Sequence, residues 1–104
     1  MMIQLNTDNN ITGREELQAS VESRIKETLG RFDDHITRIE VHFKDENGQK
    51  KGVDDIRCAL EARLENKEPI IVSNTADSVE LALNGAISKM KKVLDSAIEK
   101  QRGH

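Results

Sequence analysis

The spacing of apolar residues changes period along this chain, and that change constrains the fold more than any other feature. Ile3 and Leu5 alternate with Gln4 and Asn6 over Met1–Asn6, the period of a strand with one buried face. Leu17, Val21, Ile25, Leu29 and Phe32 then recur at intervals of four, four, four and three. That is the stripe of a helix of about five turns. Period two returns over Ile36–Lys44, where Ile39, Val41 and Phe43 oppose Arg38, Glu40, His42 and Lys44, and again over Asp54–Leu64 through Ile56, Cys58, Leu60, Ala62 and Leu64. Ile70-Ile71-Val72 reads as a short β-branched strand suited to a sheet edge, started by Pro69, which has no N–H to donate. Finally Val79, Leu83, Ala86, Ile87, Met90, Leu94, Ala97 and Ile98 mark one face of a long second helix that frays near Lys100–His104.

Punctuation fits this order. Thr12 with Glu15, three residues on, makes a capping box, so the first helix opens at Thr12 or Gly13 and exits at Asp33-Asp34. Asn47-Gly48 predicts a hairpin turn, since both residues tolerate positive φ, and Asn66–Pro69 a second tight connection. Ser73–Asp77 supplies turn and cap residues, with Asp77 as the expected N-cap of the last helix. The expected fold is α+β in the order βαβββα: a four-stranded mixed sheet with two helices packed on one face. A strand–helix–strand start implies a parallel pair, and the two hairpins extend the sheet antiparallel. The 104 residues form a single domain, 1–104, of a size that buries a modest core.

Composition narrows the function. Phe32 and Phe43 are the only aromatic residues, so no aromatic platform exists for stacking nucleobases. Sixteen basic and nineteen acidic residues give a net charge of −3, which argues against nonspecific coating of DNA. The charge is uneven: from Lys89 onward five basic residues oppose two acidic ones, net +3, leaving −6 on residues 1–88. No apolar run reaches the ~20 residues of a membrane span, the N-terminus lacks signal-peptide character, and a lone cysteine forbids an intrachain disulfide. A cytoplasmic protein without membrane contact is expected.

Catalytic and metal-binding patterns find no support. His35, His42 and His104 fall in a turn, on a polar strand face and in the tail, whereas a metal needs convergent ligands. Cys58 points inward between Ile56 and Leu60 and reads as a small core hydrophobe rather than a nucleophile. The acid pairs Asp33-Asp34, Asp45-Glu46 and Asp54-Asp55 sit at strand and hairpin ends, where solvated carboxylates are ordinary, and no phosphate loop or nucleophile motif occurs. No enzyme, no cofactor and no metal is expected.

The basic residues carry more weight. On a helical wheel Lys89 and Lys92 share one flank of the last helix with Gly85 and Ser96, Lys91 and Arg102 lie on the other, and Arg24 and Arg31 share a flank of the first helix. If those flanks border the groove between the helices, they make a cationic strip able to hold phosphates without reading sequence. The competing reading is that long basic side chains border a buried stripe with their heads in water. On the exposed sheet face Arg38, His42, Lys44, Arg57 and Arg63 interleave with Glu40 and Glu61 and are expected to pair across strands.

The opening MIQLN strand, the helix running through Arg31-Phe32-Asp33 into a strand, and the closing NTADSVELALNGAISKMKKVL segment together resemble the ribosome hibernation promoting factor and ribosome-associated inhibitor family, also called the sigma-54 modulation protein family. The resemblance spans nearly the whole chain. Asp77, Ala82, Ala86, Ile87, Lys89, Met90, Lys92 and Leu94 match that family's last helix. It implies binding to the small ribosomal subunit, in the channel used by mRNA and tRNA, with inhibition of translation or ribosome hibernation under stress. It also implies the short form of the family, with contact to 16S rRNA phosphates through Arg24, Arg31, Lys89, Lys91 and Lys92. The sequence departs from the pattern where Asp95 and Glu99 interrupt the basic helix, and where Ser78 and Val79 stand in place of an aromatic after Asp77. The alternative is a protein-interaction module, with a protein partner or a homodimer, motivated by the acidic balance and by Leu81 opposite the apolar stripe.

Overall fold

The structure is a computed structural model. It describes residues 1–7, 14–46 and 55–102, with the side chains of Arg14 and of residues 99–102 excepted. The expected cap at Thr12, the Asn47-Gly48 turn and the last two residues lie outside the described part.

The elements follow the order expected: β1 (Met2–Thr7), α1 (Arg14–Leu29), a short 3-10 turn α2 (Gly30–Phe32), β2 (Ile36–Asp45), β3 (Ile56–Leu64), β4 (Ile70–Ala76) and the long helix α3 (Val79–Arg102). The four strands lie in the order β1-β2-β3-β4. β1 pairs parallel with β2, and β2–β3 and β3–β4 pair antiparallel. The chain thus has the α+β βαβββα fold, and β1 and β4 are the edges.

Register follows from side-chain parity. Ile3, Leu5, Ile39, Val41, Phe43, Cys58, Leu60 and Ala62 point to one face, because a slip of one residue would turn every one of them toward water. Leu5 stands beside Val41, and Val41 beside Leu60. Val21, Ile25 and Leu29 of α1 and Leu83, Ala86, Met90 and Leu94 of α3 close over this face, all at most 1% exposed. The core is therefore aliphatic. Ala82 and Ala86 bring α3 close to the sheet, and α3 covers β3 and β4 while α1 lies beside it over β1. Ala82 is fully buried, which the stripe read from the sequence omits.

Two boundaries differ from the sequence reading. β4 continues through Ser73–Ala76 instead of ending at Val72. Its polar residues are explained by partners: Ala59, Cys58 and Arg57 of β3 stand opposite Ser73, Asn74 and Thr75, and Asn74 points to the helix face. The strand takes up Ser73–Ala76, Asp77 and Ser78 join it to α3, and because the helix starts at Val79 the cap falls on Ser78 and not on Asp77. The Leu81 N–H donates to Ser78 Oγ at 3.2 Å and the Ala82 N–H to the Ser78 carbonyl at 2.9 Å. The first bond satisfies one of the unpaired donors at the helix start, and the second is the first bond of the helix itself. Among the described residues no helix is long and apolar enough to cross a membrane.

Candidate nucleic-acid interface

α1 ends at Leu29, and the 3-10 turn that follows swings Arg31 and Phe32 toward α3. The turn closes with an Asp33 N–H bond to the Gly30 carbonyl at 3.0 Å. Phe32 enters the core at 5% exposure, and the Arg31 guanidinium lies over its ring, 4.7 Å from the centroid. A cation over an aromatic face is held electrostatically by the ring quadrupole, so Arg31 has a preferred seat. From there it forms an ion pair with Asp95 of α3. Asp95 also receives Lys91, one helical turn earlier, at 3.7 Å. Arg31, Lys91 and Asp95 are one cluster, joined across the two helices.

Arg24 lies further along the same groove. It donates to Asn84 Oδ1 at 2.7 Å and to Ser20 Oγ at 3.3 Å, and approaches Glu80 at 3.8 Å. The groove here is a shallow depression of about 230 Å³ lined by Arg24, Glu27, Thr28, Asn84, Ile87 and Ser88.

Lys89 is elsewhere. Its Nζ donates to the Ser73 carbonyl of β4 at 2.8 Å, and Gly85, on the same flank, faces Asn74 of β4. That flank borders the sheet edge, so the conditional strip joining Lys89 and Lys92 to the arginines of α1 does not form. Lys92 is exposed and makes no ion pair with a described residue. It lies about 100° around the helix from Lys91, on the outward side. Of the five candidate cations the fold brings Arg24, Arg31 and Lys91 to the interhelical groove, sets Lys89 against the β4 edge, and leaves Lys92 facing solvent. The groove is neither a continuous positive strip nor uniformly acidic: each of its three cations has an acidic neighbour.

The opposite sheet face pairs across strands only in part: Arg63 reaches Glu40 between strands, whereas the pairs of Arg38 and His42 with Glu40 and of Arg63 with Glu61 each lie along a single strand. Glu40, 16% exposed, accepts from Arg38 at 2.9 Å and lies 3.4 Å from Arg63 and 3.7 Å from His42, while Arg63 also meets Glu61 at 2.9 Å. Lys44 and Arg57 stand opposite each other across β2 and β3. Cys58 is fully buried, and burial pushes its thiol up to about 12. A neutral, enclosed thiol is no nucleophile. Among the described residues no three His, Cys, Asp or Glu side chains converge as a metal site.

The sequence reading missed two asparagines and one pairing. Asn84 holds Arg24. Asn74 donates to the carbonyls of Leu81 and Ala82, at 3.4 and 3.3 Å, through space that only a glycine at position 85 leaves open. The parity of β4 places Asn74 at an inward position, and a polar residue there, opposite a helix glycine, was the available signal. The pairing is Arg31 with Asp95, which depends on the two helices meeting and has no local signature.

Comparison with known proteins agrees with the fold. No curated protein matches the sequence. Among solved structures the N-terminal domain of Protein Y from Thermus thermophilus superposes with a TM-score of 0.71 at 15% identity, covering 88% of this chain and 93% of that one. A ribosomal subunit interface protein from Coxiella burnetii gives 0.71 at 17% identity, covering 93% and 97%. The family model described as sigma 54 modulation protein / S30EA ribosomal protein matches residues 6–102. With nearly the whole length accounted for, the chain belongs to the sigma 54 modulation protein / S30EA ribosomal protein family.

Proposed function

We propose that this protein is a noncatalytic ribosome-associated factor that binds the small ribosomal subunit through 16S rRNA, and that it inhibits translation or holds ribosomes in a hibernating state. The observation that carries the reading is the family match over residues 6–102, together with a structural neighbour named as a ribosomal subunit interface protein. The helix face supports it: Arg31 presents a cation from the 3-10 turn that follows α1, Lys91 one from α3, and Lys92 adds an outward one. Such groups hold phosphates by charge and position a protein without reading bases. The scarcity of aromatics fits a binder of folded, backbone-displaying RNA rather than of unstacked bases. Action is by occupancy: a rigid helix pair seated where mRNA and tRNA must pass.

The test is a cell-free translation reaction programmed with a reporter mRNA. Added protein inhibits in proportion to its occupancy of small subunits. The variant Arg31→Glu/Lys91→Glu/Lys92→Glu loses both binding and inhibition, because each change turns an attraction for phosphate into a repulsion. Unchanged inhibition by that variant refutes the assignment of the interface to this face.

A further inference from the structure

We infer that Arg31 and Lys91 form a phosphate site that the protein itself occupies, with the Asp95 carboxylate standing where a phosphodiester of an RNA backbone binds. The inference rests on the proposed RNA-binding role and adds a regulating residue to it. The geometry is that of a bridged anion: Arg31 meets Oδ1 of Asp95 and Lys91 meets Oδ2 at 3.7 Å. The two nonbridging oxygens of a phosphodiester offer the same pair of acceptors, and a guanidinium fork suits them as well as it suits a carboxylate. Arg31 stays positioned without Asp95, because the Phe32 ring lies under it.

The internal anion is weakly held. The side chains of Arg31, Lys91 and Asp95 are 57%, 45% and 37% exposed, and ion pairs at such exposure contribute little. Lys91 precedes Asp95 by four residues, the less favourable order for an i,i+4 pair. An incoming phosphate therefore displaces the carboxylate at small cost, and the residual negative charge of Asp95 lowers affinity once it has moved aside. Glu27, exposed on α1 and lining the same groove, adds to that repulsion. Asp95 thus sets how tightly the groove holds RNA, and it blunts the salt dependence of binding by neutralising cations that phosphates would otherwise meet.

The experiment measures fluorescence anisotropy of a labelled single-stranded oligouridylate with the wild type, Asp95→Asn, and Glu68→Gln. Glu68 is exposed in the β3–β4 connection and outside the Arg31–Asp95–Lys91 cluster, so its variant makes the same change in net charge without touching that cluster. Asp95→Asn binds the oligonucleotide on the order of fivefold to tenfold tighter at low salt, and its log-affinity falls more steeply with log salt by about 0.7 to 1.4 units. Glu68→Gln changes affinity less than about twofold. In an Arg31→Gln/Lys91→Gln background the gain from Asp95→Asn disappears. An Asp95→Asn affinity no better than that of Glu68→Gln, or a gain that persists without Arg31 and Lys91, overturns the inference. A gain on the oligonucleotide with neither protein pelleting with small subunits leaves the inference standing and removes the ribosomal role instead.

Discussion

Replacing Gly85 by alanine pits two effects of known sign against each other. In an isolated helix the change stabilises, by about 1 kcal/mol, because glycine has the greater backbone freedom to lose. Here a Cβ at position 85 falls on the Asn74 carboxamide. Asn74 is fixed to the β4 backbone at an inward position and must either push α3 away or leave the gap. Leaving breaks its two bonds to the Leu81 and Ala82 carbonyls, which at 3.4 and 3.3 Å are long and contribute at most about 1 kcal/mol each. Staying forces a backbone shift of the overpacking kind, which costs about 1–3 kcal/mol. The expected net for Gly85→Ala is a loss of up to about 1 kcal/mol, set by the cheaper of the two routes, and the sign reverses in an Asn74→Ala background, where the alanine at position 85 stabilises by up to about 1 kcal/mol. Urea denaturation of the four proteins of this cycle reads the coupling directly, with unchanged m-values confirming that the folded state alone is affected. A Gly85→Ala effect of the same sign and size with and without Asn74 refutes the reasoning, since the carboxamide would then not be what demands a glycine.

Glu40→Ala leaves Arg38 without its carboxylate, opposite an Arg63 held by Glu61 alone, and costs about 1–2 kcal/mol, read as a lower midpoint in the same denaturation assay. Cys58 resists thiol reagents until the protein unfolds, so labelling kinetics follow global opening; fast labelling of native protein contradicts its burial. Because the folded thiol titrates higher than the unfolded one, its contribution is fully present below pH 9 and is lost as pH rises toward about 12; Cys58→Ala shows less alkaline destabilisation over that window than the wild type. Lys89→Ala uncovers the Ser73 carbonyl on the β4 edge and raises concentration-dependent self-association, detected by sedimentation velocity, since lysines on edge strands discourage pairing with other chains.

Most of the fold was legible because parity and helical spacing are local properties. Ile39, Val41 and Phe43 declare the inward face of β2 on their own, and Leu83, Met90 and Leu94 do so for α3. The length of β4 was not legible, because Ser73, Asn74 and Thr75 look like turn residues until their partners are known. Ser73 has its carbonyl covered by Lys89, and Asn74 reaches the helix beside Gly85. Because α3 starts at Val79, Ser78 is the cap by position. The basic residues could be found from sequence, yet their grouping could not. A helical wheel separates Lys91 from Lys89 but does not say which flank faces α1. Asp95 reads as an interruption of the basic helix, and only the meeting of α1 and α3 shows which cations it neutralises.

In the proposed function, Arg31, Lys91 and Lys92 hold this protein on the phosphates of the small subunit. Co-sedimentation of purified protein with small ribosomal subunits across a salt series tests it most directly. If Arg31, Lys91 and Lys92 each release one counterion, affinity falls about 40-fold between 50 and 200 mM salt; if Arg24 and Lys89 also leave their protein partners, it falls about 500-fold. Pelleting at low salt, with a loss in that range, is the expected result. Absence of pelleting at low salt, or pelleting indifferent to salt, contradicts it.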